Sequence, residues 1–179
     1  MTSPIEGSAL HVRPEQEREF ERIHALVRSA FQSARHAEGD EHDFVARQRA
    51  GSAYLPELAL VLLRDDRLIG HLMLTQTAIS TAGGEVPILL LACVVVAAEY
   101  RNCGLGTAFI EAGLRKAQTL GHTAVILLGD PAFYRRLGFV PSETFGISNG
   151  NGIAPGYVQV RKLVPGALAG ASGLIVLPS

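Results

Sequence analysis

The chain predicts an α/β or α+β fold, in which helices cover a central sheet, and three observations carry this prediction. Apolar runs of strand length alternate with segments of helical periodicity along the chain. The run over residues 88–96 is almost continuously apolar, which is typical of a strand covered on both faces of a sheet. The length of 179 residues suits one compact domain, so we expect a single domain over residues 1–179.

A strand and a helix are predicted at the start of the chain. Residues 10–13 have the composition of a short strand. Pro14 suits the first position of a helix, and Glu15 and Glu17 favour its start because they complement the helix dipole. Apolar residues then recur at helical spacing as far as Phe31, so this helix is expected to bury one face.

A second helix and a hairpin follow. The second helix is predicted over residues 40–49, with Asp40 as its N-cap. Apolar runs over residues 58–63 and 68–74 are separated by charged residues, which indicates a hairpin. A further turn is predicted at residues 83–84, before the buried strand.

The second half of the chain continues the alternation. A helix is predicted over residues 104–120, and Gly121 is expected to end it in a left-handed conformation. The remaining elements are a strand over residues 123–128, a short helix from Pro131 to Leu137 that Asp130 caps, a loop over residues 146–156, and strands over residues 158–163 and 174–177.

The composition argues against several classes of function. The formal net charge is -1, so no nucleic-acid partner is predicted. The first residues lack a basic start followed by an apolar core, and the apolar run over residues 86–98 is too short to cross a membrane. We therefore expect a cytoplasmic protein in which Cys93 and Cys103 are reduced. No metal site is predicted, because no second ligand pair accompanies His36 and His42.

The most informative stretch runs from Val94 to Thr107, where a buried strand ends, a glycine loop follows and a helix begins. Such a junction exposes unpaired backbone N–H groups at the positive end of a helix dipole, so it can bind an anion. Gly104 and Gly106 allow a phosphate to approach the backbone closely, and Arg101 can add a charged donor. The spacing by itself leaves a strand-to-helix turn without any ligand as an alternative.

Two better-known glycine loops do not match this stretch. A dinucleotide-binding fingerprint would need a third glycine where Phe109 stands, and a P-loop would need a lysine directly after Gly106. The expected ligand is therefore a pyrophosphate that is bound by neither of these motifs.

The Arg-x-x-Gly-x-Gly pattern of Arg101, Gly104 and Gly106 resembles the pyrophosphate loop of the GCN5-related N-acetyltransferases (GNAT). The segment 127–139, Leu-Leu-Gly-Asp-Pro-Ala-Phe-Tyr-Arg-Arg-Leu-Gly-Phe, is similar to the second cofactor-side element of that superfamily. Shorter segments resemble its bacterial YhbS-like branch: Pro56-Glu-Leu, Ile69-Gly-His-Leu and Pro165-Gly-Ala-Leu. Two separated motifs in the right order are more specific than one glycine loop.

The resemblance implies a mixed, mostly antiparallel central sheet flanked by helices. It implies acetyl-CoA as the acyl donor, bound where the strands through Val94 and Val125 part. The backbone of Val94, Val95 and Val96 would hold the pantetheine arm. The pyrophosphate would bind to backbone N–H groups of the loop, which are those of Arg101, Asn102, Cys103, Gly104, Leu105, Gly106 and Thr107.

The implied reaction is direct transfer of the acetyl group to an amine within a ternary complex. A backbone N–H near Val94 would stabilise the carbonyl oxygen, and Tyr134 would protonate the departing thiolate. The acceptor would be a small-molecule or peptide amine, and a homodimer is compatible with the superfamily. Two alternatives remain: an acyl-CoA-binding sensor without catalysis, and a CoA-independent interaction module in which the loop is only a turn.

Other polar residues are expected to have structural roles. Glu99 is interpreted as an exposed strand-end residue, and His71 as a hydrogen-bonded histidine of the sheet. Cys93 is interpreted as an inert thiol rather than a nucleophile, because no His, Lys or Arg lies beside it in sequence. Without the family pattern, Tyr134 would be a core or boundary residue. A solvated helix face is the interpretation for the polar residues of the second helix: Glu41, His42 and Asp43.

Overall fold

The computed structural model describes residues 9–32 and 41–179. Within them lie four α-helices: α1 (Phe20–Gln32), α2 (Glu41–Ala50), α3 (Leu105–Thr119) and α4 (Pro131–Tyr134). The same residues form nine strands: β1 (Leu10–Pro14), β2 (Tyr54–Arg64), β3 (Arg67–Thr81), β4 (Gly84–Val96), β5 (Ala124–Leu128), β6 (Val140–Pro141), β7 (Ile147–Asn149), β8 (Val158–Lys162) and β9 (Gly173–Ile175).

The strands form one mixed sheet in the order β1-β2-β3-β4-β5-β8-β6, with β9 beside β3 and β7 beside β9. The β4–β5 and β7–β9 pairs are parallel and the other pairs are antiparallel. This confirms the mixed, mostly antiparallel sheet that the resemblance implied. The chain passes from the end of β4 through a 3-10 turn at Ala98–Tyr100 and the glycine loop into α3, which connects β4 to β5.

Helices cover both faces of the sheet. On one face, Ile23 of α1 packs in a cluster with Met73 of β3, and α2 joins the same cluster. On the other face, Phe109 of α3 packs in a cluster with Leu72 of β3. Each fully buried apolar side chain of this kind contributes roughly 1.5–3 kcal/mol. Within residues 9–32 and 41–179, no helix has both the length and the apolarity required to cross a membrane.

The predicted hairpins are present, and their strands are longer than expected. Asp65 and Asp66 have φ values of 47° and 62°, which fits a two-residue turn that matches the twist of the flanking strands. Gly84, with φ of 116°, follows the second turn, and Gly121, with φ of 93°, follows α3 as predicted. The strands extend beyond their apolar cores because backbone pairing continues through residues that are exposed on one side.

The start of the first helix was predicted incorrectly. Pro14 is the last residue of β1, and the backbone N–H of Glu15 donates to the carbonyl of Ala59 at 2.8 Å. A 3-10 turn over Glu17–Glu19 follows, and α1 begins only at Phe20. Strand pairing with β2 therefore holds Pro14 and Glu15 in extended backbone, where they cannot begin a helix.

Two further differences concern the end of the chain. The segment 146–156, predicted as a loop, contains β7, and the last strand lies at Gly173–Ile175 rather than at residues 174–177. The strand β9 pairs with β3, and β7 pairs in turn with β9; no local pattern reveals this pairing between distant segments. The predictions for His36 and Asp40 lie outside the described residues.

Candidate functional site

A cleft opens where β4 and β5 part. Their pairing is confined to Leu89 with Val125 and Leu90 with Ile126, after which the two strands diverge. Beyond Leu90, the edge of β4 that faces β5 is therefore open to the cleft. The cleft has a volume of about 600 Å³ and is lined by Val94, Val95, Val96, Arg101, Asn102, Gly104, Gly106, Thr107, Ile110, Phe133, Tyr134 and Arg136.

A β-bulge lies in β4 at the point where the cleft begins. Met73 pairs with Cys93 but Leu74 pairs with Leu91, so Ala92 is an extra residue on β4. A bulge bends its strand and changes the direction of the residues that follow it. As a result Cys93 packs in the core beneath α1 and α2, whereas Val94 packs in the core beneath α3.

The glycine loop presents backbone N–H groups to the same cleft. Asn102 and Gly104 both have left-handed backbone, with φ values of 58° and 82°. The first helical bond of α3 runs from the N–H of Ala108 to the carbonyl of Gly104 at 3.0 Å. The N–H groups of residues 105–107 therefore have no acceptor within the helix. Backbone N–H groups in such a turn converge to form an anion-binding concavity.

The space in front of this loop is open. A methyl group added at Gly104 or Gly106 would meet no protein atom within 4 Å, so neither glycine is required by packing against the protein. Among the residues that line the cleft, Arg101 and Arg136 are basic and none is acidic. The donors, the open space and the charge all fit a pyrophosphate.

The side chain of Arg101 has an orientation that the sequence did not predict. Its Nε donates to the carbonyl of Val96 at 3.0 Å, and its Nη2 donates to the carbonyl of Ala30 at 3.3 Å. Ala30 lies in the last turn of α1, where carbonyls lack helical partners and attract a cation. The guanidinium therefore ties the glycine loop to the ends of β4 and α1.

Tyr134 lies across the cleft from this loop, at the end of α4. Asp130 caps the helix by accepting a hydrogen bond from the N–H of Ala132 at 2.9 Å. The phenol ring packs edge-to-face against Phe133 and Phe139, with centroid distances of 4.9 and 5.7 Å. Burial, with a smaller effect of Cys93, raises the pKa of Tyr134 to about 12. At neutral pH the hydroxyl therefore stays protonated and can donate a hydrogen bond.

A buried polar cluster, made of Glu15, Arg49, Tyr54 and His71, lies on the α2 side of the sheet. Arg49 donates to both oxygens of the Glu15 carboxylate, through Nε at 2.7 Å and Nη2 at 2.9 Å. Tyr54 donates its hydroxyl to Oε1 at 2.8 Å, and Nε2 of His71 lies 2.8 Å from Oε2. The side chains of Glu15 and His71 are 1% and 0% exposed. The cluster fixes α2 to β1, β2 and β3.

Charge pairing decides the ionisation of this cluster. Burial by itself would raise the pKa of Glu15, but the hydrogen bonds and charges of His71 and Arg49 outweigh it and lower the pKa to about 2. Burial, and then the hydrogen bond to Glu15, raises the pKa of Tyr54. Arg49 also lies over the ring of Phe20, with its guanidinium carbon 3.9 Å from the centroid. The carboxylate is therefore charged throughout the physiological range.

Cys93 lies between the polar cluster and the cleft. Burial, followed by the nearby Glu15 charge, raises the pKa of its thiol to about 12. A thiol of this kind is not a nucleophile at neutral pH, because the thiolate is the reactive form. The burial of Cys93 and its raised pKa are compatible with the prediction that the thiol is inert.

The structure separates the predicted residues into groups. Leu105 is buried in the core, and the exposed Cys103 donates its thiol to the carbonyl of Tyr100 at 2.9 Å, so neither predicted residue lines the cleft. His71 is hydrogen-bonded within the sheet as predicted, and Glu99 is exposed and pairs with Arg67 at 2.9 Å. Three cleft residues were not predicted, although two of them belong to the tyrosine motif: Ile110, Phe133 and Arg136.

Comparison with known proteins agrees with this geometry. Residues 11–142 match the family model of the acetyltransferase (GNAT) domain. The chain is 28% identical to the N-acetyltransferase YhbS of Escherichia coli over 154 residues, which is 86% of this chain and 87% of that protein. It is 31% identical to the N-acetyltransferase YjhQ of Escherichia coli over 104 residues, which is 56% of each protein.

Solved structures show the same fold. The crystal structure of Escherichia coli YhbS in complex with CoA has a TM-score of 0.80 and 26% identity, with coverage of 98% of this chain and 92% of that chain. A GNAT acetyltransferase from Brucella melitensis in complex with acetyl-CoA has a TM-score of 0.68 and 25% identity, with coverage of 88% and 90%. The chain therefore belongs to the GNAT family of acetyltransferases, whose acetyl donor is acetyl-CoA.

Proposed function

We propose that the chain transfers an acetyl group from acetyl-CoA to an amine by direct attack in a ternary complex. The observation that carries the proposal is the cleft, which is lined by residues of the glycine loop, by the end of β4 beyond its pairing with β5, and by Tyr134. The complexes of the two related structures with CoA and acetyl-CoA support the choice of donor.

The donor is held in two parts of the cleft. Backbone N–H groups of residues 102–107 bind the pyrophosphate, helped by the dipole of α3. The N–H of Arg101, which the resemblance also implied as a donor, instead donates to the carbonyl of Ala98 at 3.3 Å. Backbone groups of Val94, Val95 and Val96 on the open edge of β4 hold the pantetheine arm. When bound, acetyl-CoA supplies a thioester that is activated for attack by a neutral amine. A backbone N–H beside the bulge, near Val94, stabilises the negative charge on the carbonyl oxygen.

Tyr134 assists the departure of the thiolate mainly by donating a hydrogen bond. An ordinary thiol has a pKa of about 8.5, whereas the phenol has a pKa of about 12. Full proton transfer between groups with these pKa values would be uphill by roughly 5 kcal/mol. A short hydrogen bond to a developing thiolate avoids this cost and still lowers its energy. The proton that the attacking amine loses passes to the CoA thiolate through solvent as the products leave, so Tyr134 keeps its own proton.

An acyl-CoA-binding sensor without catalysis is the second candidate, because the same cleft would bind the donor in either case. The two candidates differ in turnover. The acceptor in the enzymatic case is a small-molecule or peptide amine.

Titration calorimetry with acetyl-CoA tests the donor site. Gly106→Leu places a side chain in the open space before the loop N–H groups, and Gln118→Leu places the same side chain at the exposed far end of α3. We expect saturable binding by the wild type and by Gln118→Leu, and at least about tenfold weaker binding by Gly106→Leu. Equal binding by all three proteins would refute the assignment of the pyrophosphate to this loop.

Turnover then separates the enzyme from the sensor. Loss of the thioester absorbance is followed with a panel of primary amines, which avoids thiol reagents that would react with the exposed Cys103. Amine-dependent loss of the thioester supports the transferase. Tight binding of acetyl-CoA with no turnover across the panel would favour the sensor, and no binding by folded protein would overturn both.

A further inference from the structure

We propose that Gly129 and Gln159 are positioning residues that form a seat for Tyr134 and thereby fix its hydroxyl in the cleft. This inference rests on the proposed role of Tyr134 in acetyl transfer. Gly129 lies in the turn between β5 and α4, and Gln159 lies on β8, the strand that pairs with β5. Neither residue lines the cleft, so both act only through the tyrosine.

The ring of Tyr134 occupies the place of a side chain at position 129. A methyl group on Gly129 would lie 2.4 Å from Cε2 and 2.8 Å from Cδ2 of Tyr134. The backbone at Gly129 has no positive φ, so any residue could adopt its conformation. Glycine is therefore required at this position for a steric reason, and the ring atoms that require it belong to Tyr134, the proposed hydrogen-bond donor.

The turn that carries Gly129 is held from both sides. The N–H of Gly129 donates to the carbonyl of Tyr157 at 3.0 Å. The side-chain Nε2 of Gln159 donates to the carbonyl of Gly129 at 3.0 Å, and Gln159 is 1% exposed. A buried amide whose donor is used in this way fixes the backbone, because breaking the bond would leave polar groups unpaired. These hydrogen bonds hold the backbone at position 129 in place.

The ring cannot move away from the seat without cost, because Phe133 and Phe139 pack against it edge-to-face. Relief of a 2.4 Å contact to an ordinary distance of 3.4 Å requires a displacement of 3.4 minus 2.4, or about 1 Å. A displacement of about 1 Å at a catalytic group can lower a rate about 100-fold. Gly129→Ala should therefore have nearly the same effect on catalysis as loss of the hydroxyl.

A double-mutant cycle tests the proposal. The rate of thioester loss from acetyl-CoA is measured with benzylamine for the wild type, Gly129→Ala, Tyr134→Phe and the double variant. We expect each single variant to lower kcat about 100-fold, and the double variant to be within about twofold of Tyr134→Phe. The calorimetric Kd for CoA should stay within about threefold in all four proteins, because the pyrophosphate loop is not altered.

Gly113→Ala is the matched control. Its methyl group would lie 3.0 Å from a side-chain carbon of Leu72 in the core beneath α3, and its three nearest atoms all belong to Leu72 and none to Tyr134. Any effect of Gly113→Ala on the rate should be independent of the tyrosine, so in a variant that carries both Gly113→Ala and Tyr134→Phe the two fold-losses in rate should multiply. If Gly129→Ala also multiplies with Tyr134→Phe, or leaves kcat unchanged, the seat has no role in catalysis and the proposal is overturned.

Carbon-13 NMR of tyrosine-labelled protein provides a readout that needs no acceptor. The chain has four tyrosines and no tryptophan, and Tyr134→Phe assigns the resonance of interest. We expect Gly129→Ala to shift the Tyr134 ring resonance and to leave that of Tyr100 unchanged. If Gly129→Ala does not fold, Gln159→Met removes only the donor to the Gly129 carbonyl and should shift the same resonance. An unchanged Tyr134 resonance in folded Gln159→Met or Gly129→Ala would overturn the seat.

The cycle also separates this inference from the function on which it rests. Unchanged turnover in Tyr134→Phe would refute the catalytic role of the tyrosine, whereas a shifted ring resonance in Gly129→Ala would still support the seat. A rate loss in Tyr134→Phe without a shift or rate loss in Gly129→Ala would refute the seat and leave the proposed function in place.

Discussion

Replacement of Glu15 by Gln should destabilise the fold strongly at neutral pH. Glu15 accepts hydrogen bonds from Arg49, Tyr54 and His71 in a site from which water is excluded. An amide keeps the shape of the side chain but loses the charge, and its NH₂ group would face donors of the cluster. Arg49 would also lose the carboxylate that neutralises its charge.

The expected magnitude follows from the pKa of Glu15. Its folded value of about 2 lies below its ordinary value of 4.5, which corresponds to about 3 kcal/mol of stability from the ionised carboxylate. Removal of one partner from a buried ion pair costs about 3–5 kcal/mol, which agrees. Because the folded pKa is lowered, this stability is complete above about pH 4.5 and is lost as the pH falls towards 2.

Urea unfolding of the wild type and Glu15→Gln at several pH values between 7 and 3 measures this contribution. We expect a difference in the free energy of unfolding of about 3 kcal/mol at pH 7, which shrinks steadily below about pH 4.5. Glu99→Gln is the control, because its exposed pair with Arg67 should contribute at most about 1 kcal/mol. A difference below about 1 kcal/mol for Glu15→Gln at pH 7, or one that does not depend on pH, would refute the reasoning.

Three other outcomes are expected. Gly106→Ala, in ordinary helical backbone beside open space, should raise the free energy of unfolding by about 0.5–1 kcal/mol. Gly104→Ala, with φ of 82°, should lower it by about 1–2 kcal/mol. Urea midpoints that shift in the same direction for both variants would contradict this. Iodoacetamide should modify the exposed Cys103 and spare the buried Cys93 in folded protein, and peptide mass mapping that finds both equally labelled would show that Cys93 is accessible. Gly173→Ala places a methyl group 2.2 Å from a backbone carbonyl of β3, so it should cost about 1–3 kcal/mol and expose β9 amides to hydrogen exchange. Unchanged protection of these amides would show that the methyl group is accommodated without parting β9 from β3.

Local patterns were sufficient for much of the fold. Helical periodicity and the flanking glycines placed α3 within one residue at each end, because a helix depends on contacts between residues that are close in sequence. The hairpin between β2 and β3 was predicted from its charged turn for the same reason. Pro14 and Glu15 misled the prediction, since their helix-start character was overridden by pairing with β2.

The candidate site was only partly accessible from the sequence. The glycine loop is local, so its residues and the unpaired N–H groups could be predicted together. The direction of the Arg101 side chain could not, because its partner Ala30 is 71 residues away. The bulge at Ala92 also escaped prediction, because it depends on the register between β3 and β4 and not on the composition of either strand.

By itself, the sequence determined the periodic elements, the anion-binding turn at the start of α3 and the motifs of the family. Only the tertiary structure decided that Glu15 and His71, 56 residues apart, share one buried ionic cluster, and that Gly129 gives its side-chain space to Tyr134. The physical reason is the range of the interactions. Helical bonds and turn conformations are satisfied by near neighbours, whereas burial and charge pairing depend on which distant residues the sheet brings together.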